Sequence, residues 1–90
     1  MRFEATREEL DKISKIVNRA SELGALGDVT VITMFMDLEA AHCNGCPLDF
    51  DRLMEFPDGD FLHDILGIKH HMDREKGKLN DGFVPRCAKE

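Results

Sequence analysis

Residues 29 to 36, Val-Thr-Val-Ile-Thr-Met-Phe-Met, constrain this chain more than any other stretch. β-Branched residues favour a strand. A strand, however, needs a second one to take up its backbone N–H and C=O groups, and no other strand-like run occurs in the sequence. The run continues without a break into Asp37-Leu38-Glu39-Ala40-Ala41-His42, mostly good helix formers. One helix over about 29–43 satisfies both facts. Its apolar residues (Val29, Val31, Ile32, Met34, Phe35, Met36, Leu38, Ala40 and Ala41) lie on nearly every side, so it is either central or part of an interface.

The other elements follow from caps and periods. Thr6-Arg7-Glu8-Glu9 has the form of a capping box, and Leu10, Ile13, Ile16, Val17, Ala20 and Leu23 recur behind it at helical spacing. Gly24 then supplies a stop, so a first helix is expected over about 6–23. Asn44-Gly45 ends the second helix, and Pro47 suits the first position of a third, about 47–55. Pro57-Asp58-Gly59 marks a turn, and Asp58 or Asp60 can cap a fourth helix over about 60–73. Its stripe is Phe61, Leu62, Ile65, Leu66, Ile68 and Met72. Residues 74–90 carry Gly77, Gly82 and Pro85 and are expected to be an extended tail pinned by Phe83 and Val84. The expected fold is all-α: one compact four-helix bundle with no sheet.

Charge excludes some function classes. The chain carries −6 overall, and residues 37 to 64 hold eight acids (Asp37, Glu39, Asp49, Asp51, Glu55, Asp58, Asp60, Asp64) against one base, Arg52. Residues 69 to 90 hold six Lys or Arg, interleaved with four acids. Phosphate contacts dominate nucleic-acid affinity, so no DNA- or RNA-binding track is expected. The acids suit helix N-termini and a solvated surface. No apolar run reaches the roughly 20 residues that span a bilayer. Met1-Arg2-Phe3-Glu4 lacks the apolar core of a signal peptide, and three cysteines cannot all pair, so reduced thiols in a cytoplasm are expected.

Chemistry is concentrated in His42-Cys43-Asn44-Gly45-Cys46-Pro47. A Cys-x-x-Cys pair supplies half a zinc site; Cys87, folded back, with His42 would complete four ligands, Cys43, Cys46, Cys87 and His42. Otherwise the segment is a helix stop, a turn and a helix start around two small thiols. A redox role is weaker, since Cys43 falls at a helix C-terminus, where the dipole disfavours a thiolate; Cys46, ahead of a helix, is the better nucleophile. His63-Asp64, with His42 upstream and Asp73 or Asp81 downstream, faintly matches the ligands of an HD-type metal phosphohydrolase. His63 and His70 stand seven residues apart, about 10 Å along a helix, too far to share a metal unaided. Ordinary cap or surface histidines account for these positions without a site.

Asn44-Gly45-Cys46-Pro47-Leu48-Asp49, Asp60-Phe61-Leu62-His63-Asp64-Ile65-Leu66-Gly67-Ile68, His71-Met72-Asp73-Arg74 and Phe83-Val84-Pro85-Arg86 together resemble a family of short bacteriophage and prophage proteins with no assigned function. The resemblance covers residues 42–87; Lys76 and Gly82 depart from the pattern. It implies a phage or prophage origin, a bacterial cytoplasm, and no catalytic residues to carry over.

The expected function is therefore non-catalytic: a small acidic helical protein acting through a protein partner and self-associating as a homodimer. Met34 and Phe35, with Val31 and Leu38, are the expected interface on the apolar second helix. No cofactor is expected on that reading. The alternative is a metal-binding protein, zinc-stapled or weakly hydrolytic.

Overall fold

The computed structural model describes residues 5–80 and 82–89. Residues 1–4, 81 and 90 and the side chains of Asp28 and Val29 lie outside that description, and with them the readings placed on the N-terminus, Val29 and Asp81. Among the described residues the chain forms α1 (Arg7–Glu22), α2 (Asp28–Cys43), α3 (Phe50–Glu55) and α4 (Asp58–His71). Two short strands follow, β1 (Met72–Asp73) and β2 (Lys78–Leu79). The fold is an all-α bundle carrying one small antiparallel hairpin.

α1 starts where its capping box places it. Glu9 N–H donates to Thr6 Oγ1 at 3.1 Å, and Thr6 N–H to the Glu9 carboxylate at 2.8 Å. Leu23 closes the helix and Gly24 leaves it at φ +77°, the left-handed region that glycine enters at no steric cost. Ile13, Ile16, Val17 and Ala20 are buried on one face, against α2 and α3. α2 runs through the centre: α1 lies against one side, and α4 and β2 lie against others.

α3 is shorter than expected. Pro47 stands outside it, because Pro47 C=O accepts from Lys89 N–H at 2.8 Å and Asp49 N–H donates to Cys87 C=O at 2.8 Å. These bonds join residues 47–49 to the C-terminal segment as an antiparallel bridge, Leu48 opposite Ala88. Asp49, not Pro47, begins the helix, its carboxylate accepting from Arg52 N–H at 3.1 Å. The turn expected at residues 57–59 is instead the first turn of α4, with Pro57 at its N-cap.

The expected absence of any sheet is also corrected. Asp73 folds the chain back: its Oδ1 accepts from Glu75 and Lys76 N–H, and Gly77 N–H donates to Asp73 C=O at 2.7 Å. Gly77, at φ +68°, completes the turn, and Met72 pairs with Leu79. Beyond the hairpin the tail is fastened rather than merely extended. Phe83 packs over Gly67 and stacks on His71, ring centroids 4.8 Å apart, whereas Val84 stays exposed. Asp64, fully buried on α4, accepts Arg86 N–H at 2.8 Å and Cys87 N–H at 3.0 Å.

Candidate functional site

α2 decides where a site can be. Two residues along a helix turn the side chain by about 200°, so Met34, Leu38 and Ala41 point one way and Ile32, Met36 and Ala40 the other. The first set is core: Met34 is 1% exposed and Leu38 0%. The second faces out, with Ile32 70% and Met36 62% exposed. The interface expected at Val31, Met34, Phe35 and Leu38 is corrected accordingly. Met34 and Leu38 are interior, Val31 and Phe35 are half-buried against the same core, and the open apolar positions are Ile32 and Met36. With apolar residues nearly all round α2, the sequence carried little to show which face turns inward.

Beside Met36 runs a groove of about 400 Å³ between α2 and the hairpin, lined by Thr33, Met36, Asp37, Ala40, Met72, Arg74 and Gly77. A second depression, lined by Leu66, Lys69, His70 and Arg74, lies along α4. Arg74 borders both. Its guanidinium donates to the carboxylate of buried Asp37 at 3.1 Å while remaining more than half exposed itself. Burial pushes the Asp37 carboxyl above its ordinary pKa, and Arg74 and Lys69 pull back against that shift. α2 also holds the hairpin at a second point, two turns further on, where Asn44 Nδ2 donates to Gly77 C=O at 2.6 Å. Two bonds therefore tie the hairpin to α2 along the groove.

The thiol and histidine set of the zinc reading is dispersed into other bonds. Among the described residues, no three His, Cys, Asp or Glu are grouped as a metal ion would need. His42 is buried between elements: Nδ1 accepts Leu48 N–H at 2.9 Å, Nε2 meets the Glu9 carboxylate, and the ring leans on Phe50. Those bonds fix the tautomer with the proton on Nε2 and occupy both ring nitrogens. Cys43 and Cys87 are buried and Cys46 is half-buried, all as thiols. Burial raises the pKa of Cys46, and that of Cys87 much further with Asp64 beside it. Cys46 gains nothing from a helix dipole, because α3 begins four residues later, so the reason for ranking it above Cys43 falls away.

The other candidates part in the same way. Asp64 gives its two oxygens to backbone N–H groups, whereas neighbouring His63 is exposed, so the pair does not converge on a shared ligand position. His70 and His71 meet edge to face at 4.9 Å. The acidic stretch divides: Asp49 caps α3, Asp51 lies in its first turn, and Asp58 and Asp60 lie in the first turn of α4, but Asp37 and Asp64 are buried. Arg19 is a residue the sequence reading passed over. It donates to Met54 C=O (2.9 Å), Phe56 C=O (2.7 Å) and Asp58 (3.0 Å), and lies 4.2 Å above the Phe61 ring. It thereby fastens the α3–α4 junction to α1. A lone arginine on the edge of an amphipathic helix carries no local signal for that role.

Among the described residues no helix is long and apolar enough to cross a membrane. No curated protein and no solved structure matches the chain. Over residues 8–89 it matches the model of a family of unknown function (DUF6874), and it belongs to that family.

Proposed function

We propose that this protein is a non-catalytic helical binding module of phage or prophage origin, acting in a bacterial cytoplasm through protein–protein contact. Ile32 and Met36 carry the reading. They stand one turn apart and both largely exposed, and Met36 lines a groove shared with Thr33, Asp37, Ala40, Met72, Arg74 and Gly77. Large apolar side chains gathered at a groove mark an interaction site more often than a bare surface. The origin and compartment are supported by the resemblance to phage and prophage proteins over residues 42–87. The non-catalytic character is supported by His42 and Asp64, whose polar atoms are committed to holding the fold.

A second copy of the chain closes the face in the absence of another partner, since a two-fold contact lets one apolar patch cover its twin. Met36→Asp places a charge at the centre of the patch and touches none of the core. That variant should remain monomeric by light scattering at micromolar concentration, with an unchanged circular dichroism spectrum, while the parent protein is dimeric. A parent protein that is monomeric and gains no partner through this face rejects the reading.

A further inference from the structure

Arg74 borders both the groove beside α2 and the depression along α4, and the charge at that junction gives the partner a chemistry. Two cations stand there, Lys69 on α4 and Arg74 on the hairpin, with the His70 ring beside them. Among the described residues, the one acid lining either depression is Asp37, which is buried and already paired with Arg74. Arg74 has five N–H donors, of which one goes to Asp37; the pairing holds the guanidinium in place and leaves its fork open to solvent. Leu66, 48% exposed, supplies an apolar anchor next to these cations. On a chain of net charge −6, this face combines exposed apolar side chains with positive charge.

We infer that the face recognises an acidic amphipathic helix, its apolar side chains seated on Met36 and Leu66 and its carboxylates on Arg74 and Lys69. The inference rests on the reading of α2's outer face as a docking surface. A helix fits better than an added strand, because each hairpin strand is two residues long and offers no ladder to extend. Anchors at i, i+3, i+4 and i+7 of such a helix match a groove that runs along α2. Repulsion from the remaining acids acts over distance and is screened beyond about 8 Å at physiological ionic strength, whereas the contacts with Arg74 and Lys69 are direct. A nucleic acid fits less well, since two cations, Lys69 and Arg74, cannot offset an acidic molecule along a phosphate track.

The test uses a displayed library of amphipathic helical peptides whose flanking positions are randomised among Glu, Gln and Lys. Selection against the full chain should enrich Glu, and replacing Glu by Gln in a selected peptide should weaken binding about tenfold. Lys69→Gln should erase much of that preference, as should Arg74→Gln combined with Asp37→Asn, which avoids orphaning the buried carboxylate; circular dichroism confirms that both remain folded. Selected peptides that depend on Met36 but show no acidic bias would overturn the inference and leave the docking reading standing. The same division follows if no peptide is selected while the protein dimerises through Met36. If no peptide is selected and the protein is monomeric, both fail. Tighter binding of a DNA duplex than of any peptide also overturns the inference.

Discussion

Asp37 is the residue whose charge sits least comfortably. It is 3% exposed, and burial raises its carboxyl pKa despite the guanidinium of Arg74 beside it. A carboxyl with a native pKa above its unfolded value favours folding while protonated. That contribution is complete below the unfolded value, near 3.8, and is lost as pH rises through the raised native one. Asp37→Asn should therefore gain stability relative to the parent as pH rises, with the smallest difference near pH ~4. Urea unfolding of both proteins at that pH and at neutrality checks it; a difference that shrinks with rising pH contradicts the sign. Gly67 makes a second residue-scale prediction. A Cβ there would overlap Phe83 Cζ and Cε1, although a mid-helix Gly→Ala change otherwise gains about 1 kcal/mol. Gly67→Ala should thus be neutral or destabilising alone but stabilising by about 1 kcal/mol in a Phe83→Ala background. Equal effects in both backgrounds would show that Phe83 does not pack there.

At the scale of elements, long-range bonds override local signals. α1 was legible almost to the residue because its capping box and its stop both lie in its own sequence. α3 was not: Pro47 suits a helix start, yet the partners that hold residues 47–49 extended lie some forty residues away at Cys87 and Lys89. The hairpin escaped notice because two-residue strands leave no alternation to detect; Asp73 with Gly77 was the available signal. Asp64 looked like half of a metal motif and is instead the clasp of the tail. Asp64→Ala leaves two N–H groups without their acceptor and should cost about 3 kcal/mol. Amide exchange should then accelerate at Arg86 and Cys87 well before it does in α1. Loss of less than about 0.5 kcal/mol would mean that the tail does not depend on this carboxylate.

For the whole molecule, the sequence called for an apolar helix that was either central or part of an interface and left its inward face open. A chain of this size buries only about 60% of the surface its unfolded form exposes, so apolar side chains remain to be covered. On α2 the exposed large apolar side chains are Ile32 and Met36, among the described residues, whereas Met34 and Leu38 belong to the core. Truncating the interior position, Leu38→Ala, should cost about 2–5 kcal/mol by opening a cavity. Met36→Asp should cost almost nothing in stability and act on assembly instead. Sedimentation equilibrium on the parent chain and on Met36→Asp tests the proposed docking face most directly. The account predicts a dimer, twice the 10.2 kDa chain mass, at micromolar concentration for the parent and a monomer for the variant. A parent that remains a single 10.2 kDa species into the high micromolar range and gains no partner through this face, or a Met36→Asp variant that dimerises equally well, contradicts it.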